Sequence, residues 1–333
     1  MNNIKLSRGI LLGTALVWLL AACGGGGGDE AATDSSGTYT GLTTQAQIDA
    51  DNAETIATSA YENSAAMGTA DFIPLAATGG SPPYALALGR VVTNFLDQAE
   101  ILPGSTDGRL KVAVSDTYTA HGTCGGTATY NGFDEATGSF SMTVVFDDYC
   151  TNGNGSTSGT VVDGTMTLAG SVDEAAQTLQ ASATFSNLAV TLLNTGMATT
   201  TSGTLTLAVD AAATSTMNIN MTIRDDTTGK TYKVENLTVS LFDVTASSVY
   251  FNMAGRFFGP DYGYCDLTTV EDFYLVLGDN APSDGILLVS GANGIAGGST
   301  KARLTIIDQY TYRVEADTNG NGTYNYDSGP KSW

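Results

Sequence analysis

The chain has 333 residues, among them 34 aspartates and glutamates but only 13 lysines and arginines, which gives a formal net charge of −21. A surface of this charge repels nucleic acid and anionic lipid headgroups, so neither is expected as a partner. Apolar residues make up 42% of the chain, which is enough for a packed core in one large domain or two smaller ones.

The first 22 residues have the pattern of a secretory signal. A basic start with Lys5 and Arg8 is followed by an apolar run over residues 10–20, which is shorter than the roughly 20 residues that a membrane-spanning helix needs. The run ends in Leu20-Ala21-Ala22-Cys23, which resembles the lipobox of bacterial lipoproteins. The resemblance implies that residues 1–22 are a signal peptide and that Cys23 becomes the acylated first residue of the mature chain. An ordinary secretory peptide with a chance cysteine is the alternative.

Lipidation would also decide the location of the protein. Two or three acyl chains on Cys23 anchor a protein stably, whereas a single chain is marginal. Gly24 stands in place of the aspartate that marks inner-membrane retention in this family, so the resemblance implies a lipid-anchored protein of the outer membrane, facing the periplasm or the cell surface. Residues 23–37 are rich in glycine and then acidic, which predicts a flexible tether.

Two helices are predicted ahead of the strands. A capping box of Thr44 and Gln47 marks the start of the first helix, and Gly68 after Met67 marks its end. The apolar face of this helix is thin and rich in alanine, which indicates close packing on a broad surface such as a sheet. The second helix is expected over residues 84–99.

Residues 38–333 are predicted to form a single β-rich domain, with a helical segment at 44–100 and an antiparallel β segment at 111–327. Apolar and polar residues alternate along the β segment, and turns rich in Gly, Asn and Asp separate the runs. The pattern predicts a mainly β fold, a large curved antiparallel meander sheet, open-barrel-like or sandwich-like, covered by one or two helices. A membrane-spanning barrel is the alternative, and Gly329 with Pro330 disfavours it because we expect this pair to break the last strand.

Three cysteines remain once Cys23 is acylated, and the sequence alone permits three pairings. Cys124 and Cys150 flank a predicted hairpin that folds back near residue 137, so we expect a cross-strand disulfide between them. Two buried thiols are the alternative. Cys265 has no obvious partner and is predicted to be a buried strand cysteine.

The segment 317–327 carries the sharpest motif after the lipobox. Side-chain oxygens at its positions 1, 3 and 5, a glycine at 6 and a carbonyl at 7 resemble the first half of an EF-hand-type calcium loop. Ser328 replaces the bidentate glutamate of that loop, so any calcium would bind weakly and would be structural. An Asn-Gly hairpin turn without metal is the alternative. The candidate ligands are Asp317, Asn319, Asn321, Thr323 and Asp327.

No catalytic motif is evident, and no other cofactor is expected. Neighbouring acids such as Asp147-Asp148 and Glu271-Asp272 point to opposite faces of a strand or lie in turns, which does not suit the paired carboxylates of a glycosidase. We therefore expect that the protein is not an enzyme.

Residues 120–333 loosely resemble an uncharacterised family of lipid-anchored envelope proteins of Gram-negative bacteria. The resemblance rests on the hairpin with flanking cysteines, the Gly-Pro-Asp-Tyr-Gly-Tyr segment at 259–264 and the end rich in Asn and Gly. It implies no known activity. We expect a non-catalytic outer-membrane lipoprotein that acts as a structural or binding module, with a protein or glycan partner that the sequence does not identify. The alternative is a carrier that holds a lipid or another apolar ligand between sheet and helix.

Overall fold

Fourteen strands and one helix form the described part of the chain. The computed structural model describes residues 38–69, 117–131, 139–152, 159–173, 176, 178–193, 196–212, 214–245, 247–276, 279 and 281–333. The chain groups into two compact units, one with the first six strands and one with the helix and the other eight. The predicted mainly β fold is confirmed, while the single domain over 38–333 stays a prediction.

The first unit is an antiparallel meander, in which each strand pairs with the next along the chain. Its strands are β1 (Tyr118–His121), β2 (Gly125–Asn131), β3 (Ser139–Asn152), β4 (Gly159–Asp173), β5 (Thr178–Leu192) and β6 (Ala198–Val209). Alternate residues are buried, as the period of two in the sequence requires. The buried apolar residues include Val144, Phe146, Met166, Leu168, Phe185 and Leu207.

A row of bulges crosses β3 to β6. The pairing is interrupted after Phe146 in β3, around Gly164 in β4 and after Phe185 in β5. Gly164 has a φ of 118°, and a Cβ added there would lie 2.6 Å from the carbonyl oxygen of Asn187, so only glycine fits. Bulges bend a strand and increase its twist, which is how these long strands curve.

The second unit combines the helix α1 (Ala53–Thr69) with a second antiparallel meander. Its strands are β7 (Ser215–Asp225), β8 (Thr231–Phe242), β9 (Ser248–Gly259), β10 (Gly263–Val276), β11 (Asp284–Asn293), β12 (Ser299–Asp308), β13 (Thr311–Asp317) and β14 (Tyr326–Ser332).

Helix α1 packs on one face of this second meander, and we call that face the inner face. Ala53, Ala57 and Ala60 are fully buried, and their small side chains allow the helix to approach the strands closely. The ring of Tyr61 lies 5.3 Å from that of Phe273 in β10. This packing confirms the prediction that an alanine-rich helix covers a sheet.

The predicted start of the helix at Thr44 is wrong, because the helix begins at Ala53 and Gln45 instead forms a backbone bridge with Tyr264 in β10. The Thr44 carbonyl accepts a hydrogen bond from the Tyr264 N–H at 2.9 Å, and the Ala46 N–H donates to the Tyr264 carbonyl at 2.7 Å. These tertiary backbone bonds outweigh the local capping signal. The capping box lies further on, where the Asp49 carboxylate accepts the Asn52 N–H at 3.0 Å and the Asn52 side chain accepts the Asp49 N–H at 2.9 Å.

The last strand also departs from expectation. Gly329 and Pro330 lie inside β14, so the prediction that they break it is wrong. The pairing of β13 with β14 shifts register between Arg313 and Glu315, and Gly329 adopts a φ of 63°. An edge strand tolerates proline because one side of it needs no N–H donor.

Two further predictions concern where the first helix ends and whether a second helix forms. Helix α1 ends at Thr69 instead of Met67, a difference within ordinary helix fraying. The second predicted helix at 84–99 lies outside the described residues. Among the residues that are described, no helix has the length and apolar character to cross a membrane.

Candidate functional site

Cys23 and the tether at 23–37 lie outside the described residues, so acylation stays a prediction. The other predicted site residues are the two hairpin cysteines, Asp327 and the Asp317 loop, which we define as Asp317 at the end of β13 together with residues 318–325 that lead to β14. All of them are described.

The structure places Cys124 and Cys150 in disulfide geometry. Cys124 lies in the turn before β2, and Cys150 lies in β3 directly opposite Gly125. Their Cα atoms are 5.1 Å apart, and the Cys124 N–H donates to the Cys150 carbonyl at 3.2 Å. Paired residues of β2 and β3 such as Asn131 and Thr143 are symmetric about residue 137, as the sequence predicts.

Cys265 is a buried thiol on β10, as expected for a strand cysteine. Its Sγ lies 3.8 Å from the Phe257 carbonyl oxygen, to which it donates. Burial raises the pKa of Cys265, and the charge of Asp266 adds to this, so the thiol stays protonated and unreactive.

The Asp317 carboxylate organises the loop around itself. Its oxygens accept backbone N–H groups from Gly320 at 2.8 Å, Asn321 at 3.2 Å and Gly322 at 2.6 Å. Burial alone would raise the pKa of Asp317, but these hydrogen bonds to the charged form outweigh it and hold the pKa below its ordinary value. The carboxylate therefore stays ionised inside the loop.

Two asparagine side chains continue this series of side-chain to backbone hydrogen bonds along the loop. The Asn319 side chain accepts the Asn321 N–H at 3.1 Å, and the Asn321 side chain accepts the Thr323 N–H at 2.8 Å. Gly320 has a φ of 74°, and a Cβ there would meet the Gly298 carbonyl oxygen, so glycine is required. The loop thus packs against the turn between β11 and β12.

Asp327 lies outside the loop and pairs with an arginine. It lies in β14 and accepts two hydrogen bonds from Arg313, with Nε at 2.8 Å and Nη2 at 2.5 Å. This guanidinium lowers the pKa of Asp327 to about 2. The structure therefore brings four candidate ligands into one loop and pairs the fifth with an arginine. Within the described ranges, no group of three or more His, Cys, Asp or Glu residues has the arrangement of a metal site.

Sequence reasoning missed an aromatic row on the outer face of the second meander. Phe242 in β8, Tyr250 in β9 and Tyr274 in β10 lie directly opposite one another. The ring centroids are 6.1 Å apart for the first pair and 4.9 Å for the second. In the sequence, residues 250 and 252 of β9 and residues 272 and 274 of β10 alternate with apolar residues, which places them on the outer face. Only the strand register shows that the rings lie next to one another.

Scans of the chain against protein-family models, curated protein sequences and solved structures returned no match.

Proposed function

We propose that the protein is a non-catalytic lipoprotein of the outer membrane, anchored through acylated Cys23, and that it acts as a structural or binding module of the envelope. One observation carries the proposal: Leu20-Ala21-Ala22-Cys23 follows a basic and apolar leader and precedes a glycine-rich tether. The glycine-rich composition of residues 24–37 supports the proposal, because a flexible linker of this length would have a root-mean-square reach of roughly 20 Å and would hold a folded domain off the membrane surface.

The disulfide geometry of Cys124 and Cys150 supports an exported location. Disulfides persist in oxidising compartments such as the periplasm and the cell surface, and they are rare in the reducing cytosol. The pair lies at the end of a hairpin near the edge of the first meander, where a covalent link limits fraying of a four-residue strand.

The packing of α1 favours a module over a carrier of apolar ligands. Ile56, Ala57 and Ala60 are buried where the helix packs on the inner face of the second meander, so this part of the face is covered by the chain's own side chains. A lipid carrier instead needs a continuous apolar cavity of several hundred Å³ at such a face.

Substitution of Cys23 by serine and fractionation of cells tests the anchor. The wild-type chain is expected in the outer-membrane fraction and to incorporate a labelled palmitate analogue, whereas Cys23→Ser is expected to lose both properties. The matched control is Cys265→Ala, which removes a different thiol and keeps the anchor. Retention of Cys23→Ser in the outer-membrane fraction would contradict the proposal.

A further inference from the structure

The outer face of β9 and β10 contains an arginine clamped between a ring and a carboxylate. The Arg256 guanidinium lies 4.1 Å from the ring centroid of Tyr264, and its Nε donates to the Asp266 carboxylate at 2.8 Å. Phe258, directly opposite Tyr264, packs against that ring at 5.4 Å. Stacking on an aromatic face together with carboxylate pairing is the arrangement that suits a planar guanidinium.

The other end of the same two strands repeats this arrangement without the arginine. Tyr250 lies directly opposite Tyr274, with ring centroids 4.9 Å apart. Asp272 is two residues from Tyr274, just as Asp266 is two residues from Tyr264. Asn252 takes the position that corresponds to Arg256, and its amide donates to Asp272 at 3.0 Å. A neutral amide therefore leaves the charge of Asp272 unbalanced.

The neighbouring strand adds a further carboxylate, and no described lysine or arginine pairs with this surface. Asp284 in β11 lies directly opposite Tyr274, and its carboxylate accepts only the Gly285 N–H, at 2.9 Å, among the side-chain hydrogen bonds of the described residues. Asp272 and Asp284 are both exposed, so two carboxylates neighbour Tyr274 on the sheet. Every ion pair among the described residues involves other acids, and none involves Asp272 or Asp284. Tyr250 is 38% exposed, so a partner can reach the rings.

We propose that this surface, which we call the acidic tyrosine surface and define by Tyr250, Asp272, Tyr274 and Asp284, binds an arginine side chain presented by a partner protein. The partner's guanidinium stacks on the tyrosine rings and pairs with the carboxylates, as Arg256 does within the chain. The proposal rests on the proposed role as a binding module and names the chemistry of its partner. Arginine fits better than lysine because a planar fork can stack and pair at once.

The probe is a short peptide of alternating arginine and glycine, titrated by calorimetry at low salt into the full-length protein in detergent. A citrulline peptide, which is neutral and has the same shape, is expected not to bind. A lysine peptide is expected to bind more weakly than the arginine peptide. Asp272→Asn combined with Asp284→Asn is expected to weaken arginine binding about tenfold.

A second variant tests the position of the arginine directly. Asn252→Arg recreates the internal clamp, so it is expected to block the peptide. Gln180→Arg, on an exposed position of β5, makes the same change in net charge and is expected to leave binding within about twofold of wild type.

Equal loss of binding in Asn252→Arg and Gln180→Arg would overturn the proposal, and so would unchanged binding in Asn252→Arg. Binding of the citrulline peptide as tight as that of the arginine peptide would also overturn it. Because the titration is done in detergent and does not depend on the membrane, its failure is distinct from failure of the Cys23 anchor.

Discussion

Glu62 provides a sharp test of the packing between α1 and the second meander. Its carboxylate is half-buried on the helix, and burial raises its pKa from 4.5 to about 7. No hydrogen bond or ion pair to Glu62 is present among the described residues, and the titratable groups that interact with it are the phenols of Tyr61 and Tyr312. The folded chain therefore favours the protonated carboxyl.

The sign of the pH dependence follows from the raised pKa. Below the pKa of the unfolded chain, the Glu62 carboxyl is neutral in both the folded and the unfolded chain, so it does not reduce the free energy of unfolding. Between about pH 4.5 and pH 7 the unfolded chain releases a proton that the folded chain keeps, so stability falls as the pH rises. A difference of about 2.5 pKa units corresponds to at most about 3 kcal/mol, which is fully lost above pH 8.

Glu62→Gln removes this titration, so we expect the variant to be more stable than wild type by up to about 3 kcal/mol at pH 8 and to differ little from it at pH 4. Urea denaturation at both pH values, followed by circular dichroism, measures the difference. Glu271→Gln, the same change at an exposed position on β10, is the matched control and is expected to leave the free energy of unfolding close to that of wild type. A glutamine variant that gains no stability at pH 8 would refute the account of Glu62.

Three further predictions follow from the Asp317 loop and the hairpin. Asp317→Asn is expected to lower the free energy of unfolding by about 1–3 kcal/mol, because it weakens the acceptor of three backbone N–H groups; an unchanged urea midpoint would contradict this. If the loop binds calcium, millimolar calcium raises the Tm of wild type but not of Asp317→Asn, and equal melting curves would identify a turn without metal. Replacing Cys124 and Cys150 by alanine is expected to cost about 3.5 kcal/mol for a sequence separation of 26, and the double variant is expected to lose the sensitivity of the wild-type Tm to reductant.

The strands could be predicted from the sequence because their signal is local. Alternation of apolar and polar residues gave the antiparallel meander, and the spacing of Cys124 and Cys150 about residue 137 gave their pairing. The turn chemistry of the Asp317 loop was also visible, since Asp, Asn and Gly at alternate positions favour successive side-chain to backbone bonds.

The features that could not be predicted depend on contacts between distant residues. Thr44 has a good capping sequence, but its carbonyl bonds to the Tyr264 N–H, more than 200 residues away, and the residue lies outside the helix. Asp327 could not be separated from the other candidate calcium ligands without knowing that the Arg313 side chain reaches it across β13 and β14. Likewise, Tyr250 and Tyr274 form one surface only through the register of β9 with β10.

The central claim is that the mature protein begins at an acylated Cys23, and the intact mass of the protein purified from membranes tests it most directly. The account predicts the mass of residues 23–333 plus a diacylglyceryl group, with or without a third acyl chain. A mass that includes the predicted signal peptide with Lys5 and Arg8 would contradict it, and so would the mass of residues 23–333 with a free thiol on Cys23.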